Sequence, residues 1–369
     1  MSKEQSRNNQ SKENERKSSK KTIVIKVICY ILVALLGLGI GSFSYLYKVL
    51  GGFIFVNTPF VSADDYETID IGALDDVEIS DGDTTSSWAD GGHTRVYVNE
   101  DFPIKKVAQK DKDVENILVF GVDSRGSDDY KCRADAIMIV SLDKNTNCVK
   151  LISLMRDTGV TIEGRSSTDK LTHSYAYGGV GLLINTINDN FGLDIQRFVM
   201  LDFNSSANII DLVGGVTIDV QAGEVKYANH SINEQNMLLN SNTELLSHAG
   251  AQSLNGIQAI AWSRIRYLDS DFVRSSRQRV LATALMQKVA NMGRLDQMAL
   301  LEDSAGMFET NMTSVDLMRV GLDAVDLLGT MKEYRVPVDG MYTVQSNPWM
   351  MLVDWERQLD ELHAFIWEE

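Results

Sequence analysis

Cysteine and histidine are scarce in this chain, which has 3 Cys and 5 His among 369 residues. No Cys/His spacing of the metal-binding kind occurs, so a site of that kind is not expected. Cys132 and Cys148 are predicted at opposite ends of a strand about 26 Å long, which argues against a disulfide between them. The pattern G-x-S-x-G is absent around Ser124, so no nucleophile elbow is predicted. A lone loop histidine, His173, is more simply incidental than a base.

Charge is absent from residues 27–47. A run of about 20 apolar residues spans a bilayer as a helix, so we predict an uncleaved transmembrane helix over residues 22–47. A cleaved signal peptide is the alternative, but no small-residue cleavage site follows a short apolar region. Basic residues crowd the preceding flank, while only Lys48 closely follows the run. The positive-inside rule therefore predicts a disordered cytoplasmic tail over residues 1–21 and an extracellular location for residues 48–369.

This predicted single-pass topology in the cell membrane limits the chemistry that the outer part can perform. ATP is not at hand outside the membrane, so the energy of any group transfer must come with the substrate. The net charge of −16 is strongly acidic, and we expect no nucleic acid among the partners.

The outer part divides in composition near Val114. Residues 48–113 are rich in Asp, Glu, Ser, Thr and Gly and are predicted to form an acidic stalk or linker; a small accessory subdomain is the alternative. Residues 114–369 alternate between apolar strands and periodic helices, which indicates one α/β domain with a central mixed sheet flanked by helices. The elements predicted most clearly are strands at 116–122, 135–142, 148–155, 197–203 and 216–220, and helices at 178–192, 204–215, from 254, and 277–293. Residues 311–369 are predicted to be mostly helical, with a short strand around YRVPV.

Arginine is concentrated in the segment RIRYLDSDFVRSSR, residues 264–277, where Arg264, Arg266, Arg274 and Arg277 lie around two aspartates. No lysine occurs between Ala251 and Met286. Because the planar guanidinium group binds oxyanions bidentately, this choice of cation indicates a phosphate site.

Further charged residues should meet at one edge of the predicted sheet. Asp123 and Arg125 follow the first strand, Arg133 and Asp135 open the second, and Arg156 and Asp157 follow the third. If the three strands pair antiparallel in order, all these residues reach the same edge. A divalent metal on the aspartates, most naturally Mg²⁺, and a phosphate on the arginines would satisfy both sets of charges. The alternative is a set of structural Arg–Asp pairs at a solvated edge.

Seven segments resemble, in order, the signature blocks of the LytR–CpsA–Psr family. They cover roughly residues 114–293, extend weakly to 309–312, and accompany the single membrane helix. The segments are NILVFGVDSRG, RADAIMIVS, SLMRDTGVTI, DKLTHSYAYGG, LVGGVTIDV, LNGIQAIAWSRIRY and DFVRSSRQR. The resemblance implies an α/β sandwich and a phosphotransferase that moves an anionic glycopolymer, teichoic acid or capsular polysaccharide, from a polyprenyl pyrophosphate carrier to peptidoglycan.

The resemblance also implies roles for individual residues. Asp123 and Asp135 would hold Mg²⁺, or another divalent cation. The pyrophosphate at the reaction centre would be bound by Arg133, Arg156, Arg264 and Arg266. The wider substrate site would comprise Arg125, Asp157, Lys170, Asp271, Arg274, Arg277 and Gln278, with Asp157 orienting Arg156. The chain departs from the family pattern at Met155, Thr172 and Val273, none of which is an implied ligand.

Two other functions use the same residues. A non-catalytic envelope regulator would bind the lipid-linked polymer and recruit other envelope-polymer machinery, and a hydrolase would cleave the same pyrophosphate with water. Apolar helix positions such as Leu182, Leu183, Ile187, Ile209, Ile210 and Val213 are predicted to be core residues. They could instead line a slot for membrane lipid, and the sequence does not separate these two interpretations.

Overall fold

A computed structural model describes residues 54–56, 58–62, 65, 102–122, 133–239, 241–265, 268 and 271–368. The predicted tail and transmembrane helix lie outside these residues, as do Asp123, Arg125, Cys132 and Arg266, and the side chain of Asp271. Within the described part, no helix is both long and apolar enough to cross a bilayer.

The described elements alternate between strands and helices along most of the chain. The strands are β1 (Ile54–Phe55), β2 (Phe60–Val61), β3 (Ile104–Lys105), β4 (Val114–Val122), β5 (Ala134–Asp143), β6 (Cys148–Leu154), β7 (Thr158–Val160), β8 (Asp169–Lys170), β9 (Arg197–Leu201), β10 (Val216–Val220), β11 (Gly250–Leu254), β12 (Glu309–Thr310), β13 (Met331–Val336), β14 (Tyr342–Ser346) and β15 (Trp349–Val353). The helices are α1 (Leu171–Phe191), α2 (Phe203–Leu212), α3 (Glu224–Leu239), α4 (Gly256–Ser263), α5 (Asp271–Ala290), α6 (Arg294–Asp303), α7 (Ser314–Leu327), α8 (Trp355–His363) and a π-helical turn (Ala364–Glu368).

The three predicted central strands are present, and they pair antiparallel in sequence order. β4 pairs with β5 and β5 with β6. The turn between β5 and β6 is held by Asp143, whose carboxylate accepts hydrogen bonds from the backbone N–H groups of Asn145 and Thr146, at 2.9 and 3.2 Å. Aspartate stabilises turns in this way because its short side chain reaches the backbone two and three residues ahead.

These strands form the middle of a seven-stranded sheet with the order β1-β12-β9-β4-β5-β6-β13. β4 is parallel to β9, and β6 is parallel to β13, while the other central pairs are antiparallel. The predicted α/β class with a central mixed sheet is therefore confirmed.

Alternation along the strands supplies each face of this sheet with its own apolar core. On one face, Phe120 and Ile139 are buried against α1, and on the other Ile117 and Leu142 are buried beside α7. Helix α1 approaches the chain near Phe102 so closely that a Cβ on Gly181 would lie 1.7 Å from the Phe102 carbonyl oxygen. Only glycine permits this contact, so Gly181 sets the distance between α1 and the segment that carries β3.

Helix α1 contains a kink at Gly178 and Gly179, the second of which has a φ of 62°. The predicted helix over residues 178–192 corresponds to the part after the kink. The part before it, from Leu171, is helical where the sequence predicts a loop, because the two glycines interrupt the helical pattern. The helix ends where predicted, at Gly192 in the left-handed conformation.

A second apolar cluster is built from α2, α3, α4 and the β10–β11 ribbon. The prediction that a helix begins at Leu254 with Ser253 as its cap is wrong. Residues 250–254 instead pair with β10, and Asn255 caps α4 in a capping box with Gln258. Both Ser and Asn cap helices well, and the strand pairing, a tertiary interaction, decides between them.

The prediction for residues 311–369 is correct for the strand around YRVPV, which is β13, and for helices α7 and α8. It is wrong for residues 342–353. These residues form the β14–β15 hairpin, which joins β7 and β8 in a four-stranded sheet with the order β14-β15-β7-β8.

Parts of the predicted stalk are described. Ile54 and Phe55 pair with β12, and Phe60 and Val61 pair with β3. Most of residues 48–101 lies outside the described part, so the boundary at residue 114 stays a prediction. The free thiol of Cys148 is buried.

Candidate active site

The edge where β5 begins and β6 ends brings together the charged residues predicted to meet there. Ile137 lies opposite Leu154, so Asp135 and Arg156 extend beyond the paired region on the same side. Nη1 of Arg156 donates a hydrogen bond to Oδ1 of Asp135 at 3.0 Å. Arg133 also lies at this edge, one residue before β5. The convergence predicted from strand order is thus confirmed for the two described strand ends.

Arg156 is held by a second carboxylate. Its Nε donates to Oδ2 of Asp157 at 3.1 Å, and Nζ of Lys170 lies 3.3 Å from Oδ1 of the same residue. Asp157 and Lys170 are both buried. Two carboxylates therefore orient the Arg156 guanidinium before any substrate binds, which is the arrangement needed for anion recognition at low reorganisation cost.

Helix α5 brings the arginine-rich segment to this edge. It begins at Asp271, six residues before the start predicted at residue 277. Arg274, Ser275 and Gln278 line one cleft together with Asp135 and Arg156. Arg274 is only 5% exposed. A strand edge and a helix more than a hundred residues apart in sequence thus form the two sides of one cleft rich in guanidinium groups.

Arg277, on the same helix, makes its described contacts away from this cleft. Its Nε donates to Oε1 of Glu224 at 2.7 Å, and its Nη1 donates to the carbonyl oxygen of Ile265 at 3.3 Å. Glu224 also accepts a hydrogen bond from Nε1 of Trp262 at 2.7 Å. These bonds hold α5 to α3 and α4, so Arg277 has a structural role here, and its implied role in substrate binding stays a prediction.

Arg264 lies at the carboxyl end of α4, where its guanidinium carbon is 3.7 Å from the centre of the Phe203 ring. This cation–π contact fixes the start of the arginine-rich segment against α2. Asp123, Arg125 and Arg266 fall outside the described residues, and for Asp271 only the backbone is described. The site roles predicted for these four residues are therefore not tested.

The metal prediction concerns Asp123 and Asp135, of which the structure describes only the second. The side chain of Asp135 is 11% exposed and lines the cleft, and a carboxylate is the oxygen donor that Mg²⁺ prefers. Within the described ranges, no group of three or more His, Cys, Asp or Glu side chains could hold a metal ion. The donor type fits Mg²⁺, and the ligand set stays a prediction.

A buried network behind Lys170 was not predicted from the sequence. Asp169 accepts hydrogen bonds from Nδ1 of His173 at 2.8 Å and from the Tyr177 hydroxyl at 2.7 Å, and Nη2 of Arg165 is 3.4 Å away. Burial alone would raise the pKa of Asp169. His173, through its hydrogen bond and its charge, and Tyr177, through its hydrogen bond, instead lower the pKa to about 2. The spacing of four residues between His173 and Tyr177 could have revealed their shared helix face, and Asp169, in β8, comes two residues before the helix begins.

Apolar surface continues from the cleft across one face of the sheet. Met138 lines the cleft, and Val119 and Val199 lie on the same face, only partly buried. Met286 of α5 and Phe308 pack at the border of this surface. The apolar residues predicted to be core on α1, namely Leu182, Leu183 and Ile187, are fully buried. Ile210 is buried in the second cluster and Val213 is buried, whereas Ile209 is only partly buried.

The fold places the chain among proteins with a mixed α/β sheet flanked by helices, and solved structures share this architecture. One is a structure of TagT bound to LI-WTA, with a TM-score of 0.57 and 22% identity, covering 75% of this chain and 98% of that one. The family model described as the LytR_cpsA_psr family matches residues 84–363. The chain therefore belongs to the LytR–CpsA–Psr family, as its sequence blocks predicted.

Curated relatives carry the name polyisoprenyl-teichoic acid–peptidoglycan teichoic acid transferase TagU. The protein from Bacillus subtilis (strain 168) is 25% identical over 345 residues, which are 90% of this chain and 94% of the relative. The protein from Bacillus licheniformis is 27% identical over 241 residues, which are 62% of this chain and 72% of the relative. These relatives confirm the predicted enzyme class, a phosphotransferase.

Proposed function

We propose that this protein transfers an anionic glycopolymer of the teichoic acid or capsular type from a polyprenyl pyrophosphate carrier to peptidoglycan. The observation that carries the proposal is the cleft in which Asp135 and Arg156 face Arg274 and Gln278. The TagU relatives are named as transferases of teichoic acid to peptidoglycan, and this supports the choice of substrates.

The arginines of the cleft suit a pyrophosphate. Arg156 is oriented by two carboxylates, and Arg274 is buried in the wall of the cleft. Guanidinium groups held in place stabilise the negative charge that develops when the phosphorus–oxygen bond to the lipid phosphate breaks. In that step a hydroxyl oxygen of peptidoglycan bonds to the phosphorus that carries the polymer, polyprenyl phosphate leaves, and the hydroxyl loses its proton.

Asp135, together with Asp123, would hold a Mg²⁺ ion. A bound Mg²⁺ would neutralise charge on the phosphate oxygens. Asp135 is already paired with Arg156, so the same carboxylate orients the guanidinium and lies within reach of a cation in the cleft.

The polyprenyl chain would lie on the partly buried apolar surface formed by Val119, Met138 and Val199. This surface begins at the cleft, because Met138 lines both. A lipid carrier would keep the reaction at a membrane surface, and the predicted anchor over residues 22–47 would make this the outer face of the cell membrane. Membrane lipid and other envelope-polymer machinery are the expected neighbours.

The test uses the full-length chain in detergent with lipid-linked polymer, Mg²⁺ and a peptidoglycan acceptor. We expect wild-type protein to release polyprenyl phosphate and attach polymer to the acceptor, and Arg156→Ala, Arg266→Ala or Asp123→Ala to abolish transfer. Arg294→Ala, which removes a half-exposed arginine paired with Asp326, is the control and should transfer normally.

Each outcome separates the candidate functions. Binding of the lipid-linked polymer without turnover would favour the regulator, and free polymer phosphate without acceptor labelling would favour the hydrolase. Full transfer by Asp123→Ala/Asp135→Ala would refute the metal assignment. Mass spectrometry of the purified protein should detect bound polyprenyl phosphate, and its absence after gentle extraction would weaken the assignment of the lipid surface.

A further inference from the structure

The β14–β15 hairpin differs in chemistry from the rest of the chain. Residues 341–353 contain no charged side chain, although 23% of all residues are charged. They include hydroxyl and amide groups and one indole, that of Trp349. Trp349 is 39% exposed and Val344 is 55% exposed, both high values for large apolar side chains.

Backbone hydrogen bonds place this hairpin directly beside the candidate active site. The N–H of Met351 donates to the carbonyl oxygen of Asp157 at 2.9 Å, and Met351 lies opposite Thr158 in a parallel ladder. Trp349 precedes Met351 by two residues, about 7 Å along a strand. Because the ladder is parallel, the chain before Met351 runs alongside the chain before Thr158, where Arg156 lies.

Two of the three exposed apolar residues of the hairpin, Val344 and Trp349, share one face, and the third, Leu352, lies on the other. Residues that lie opposite each other in an antiparallel pair have side chains on the same side, and alternate residues along a strand share a side. The register, with Val344 opposite Met351 and Ser346 opposite Trp349, therefore puts Val344 and Trp349 on the same side as Tyr342.

That face is the one that meets helix α5. The ring of Tyr342 lies 5.7 Å, between centres, from the ring of Phe272. Two residues further along the helix, Arg274 lines the cleft. This side of the hairpin thus runs from the helix that carries the arginines to the strand beside Arg156. Met351 is fully buried where it pairs with that strand, and Val344, Ser346 and Trp349 are exposed towards the turn.

We propose that this hairpin face, formed by Val344, Ser346 and Trp349, binds the uncharged sugar rings of the acceptor glycan. The proposal rests on the proposed function and deepens it, because it assigns donor and acceptor to different surfaces. The anionic donor needs the guanidinium groups of the cleft. An uncharged face with an exposed indole and neighbouring hydroxyl and amide groups offers apolar contact and hydrogen bonds to a sugar, but nothing to a phosphate.

A lipid bilayer is a weaker match for the same face. Surfaces that bind anionic membranes combine apolar side chains with Lys or Arg, and residues 341–353 contain neither. The hydroxyl of Ser346 lies on this face and the amide of Asn347 lies in the adjoining turn, which favours a hydrogen-bonding partner. The amide of Gln345 instead donates to the carbonyl oxygens of Asn347 and Pro348. A bilayer therefore becomes an outcome of the test.

The experiment measures binding of a soluble β-1,4-linked N-acetylglucosamine oligosaccharide to the full-length chain in detergent by isothermal titration calorimetry. We expect Trp349→Ala to weaken binding about tenfold, as for an aromatic residue at the centre of an interface, and Trp349→Tyr to restore most of it. Leu295→Ala, which truncates an apolar residue that is 82% exposed on α6, should bind like the wild type.

Kinetics with the peptidoglycan acceptor provide the second measurement. Trp349→Ala should raise the acceptor KM about tenfold and leave the donor KM unchanged. Oligosaccharide binding that is equal in wild type and Trp349→Ala overturns the proposal. The proposal is also overturned if Trp349→Ala loses binding to anionic vesicles but still binds the oligosaccharide like the wild type. Arg156→Ala should lose transfer but still bind the oligosaccharide, so a failure of the proposed function is distinguishable from a failure of this site.

Discussion

Replacing Asp169 with asparagine removes a negative charge from the buried network behind the active site while keeping the size of the side chain. Asp169 is 9% exposed, and His173 and Tyr177 hydrogen-bond to its carboxylate. The pKa of Asp169 falls from its usual 3.8 to about 2. At about 1.4 kcal/mol per pH unit, this difference corresponds to about 2 kcal/mol of native-state stability that depends on the ionised carboxylate. We expect Asp169→Asn to lower the free energy of unfolding by about that amount at pH 7.

The pH dependence follows from the direction of the shift. Because the folded-state pKa is lowered, the stabilisation is fully present above pH 3.8 and is lost as the pH falls towards 2. The stability difference between wild type and Asp169→Asn should therefore be constant from pH 7 to about 4.5 and shrink below pH 4. Urea unfolding followed by circular dichroism measures it. Asp339→Asn, at a side chain that is 80% exposed, is the control and should cost little.

Two results would refute this reasoning. One is an Asp169→Asn variant as stable as the wild type at pH 7, which would mean that the network does not stabilise the charge. The other is a stability difference that persists undiminished at pH 3, which would mean that the asparagine disturbs packing and that ionisation is not the cause.

Two further predictions concern buried lysines. Lys150 is fully buried, and its Nζ lies 2.8 Å from a carboxylate oxygen of Asp143. Lys150→Met should lower the free energy of unfolding by about 3 kcal/mol, because it leaves the buried carboxylate without its cation. Urea titration measures this change, and an unchanged unfolding midpoint would contradict the prediction. Lys170→Met should reduce the kcat of transfer about tenfold, because Asp157 then loses the lysine that holds its carboxylate in place to orient Arg156. Lys170→Arg should retain most activity, and equal losses in both variants would argue against a positioning role.

The central hairpin and the charged edge could be predicted because local sequence determines both. Apolar runs of seven or eight residues separated by a turn motif indicate neighbouring antiparallel strands. Once the strands pair in order, their flanking residues must meet. Asp135 and Arg156 therefore converge in the structure as the sequence predicts. The apolar periodicity predicted helix α5 only from residue 277, whereas it begins at Asp271, which puts Arg274 and Gln278 on one face.

Contacts between distant segments explain what the sequence did not reveal. Nothing local to residues 250–254 indicates a strand, and only pairing with β10 makes it one. Arg277 belongs to the same motif as Arg274, yet a carboxylate on another helix, Glu224, binds its guanidinium. The sequence pattern identified the right class of side chain but could not separate an arginine that lines the cleft from one that holds the helix in place.

The parallel pairing of late strands with early ones has a consequence for the order in which the enzyme matures. β13 pairs with β6 across about 180 residues of chain, and β15 pairs with β7 across about 190. The buried Lys150 also donates to the carbonyl oxygen of Ile366 at 3.0 Å. Closing loops of this length is slow and must precede the contacts that stabilise them. A chain still being synthesised, with residues beyond 330 not yet added, therefore lacks the strands that pair with β6 and β7 on either side of Arg156. The edge that carries Arg156 should therefore be complete only after about the last 40 residues have been added and have folded onto it.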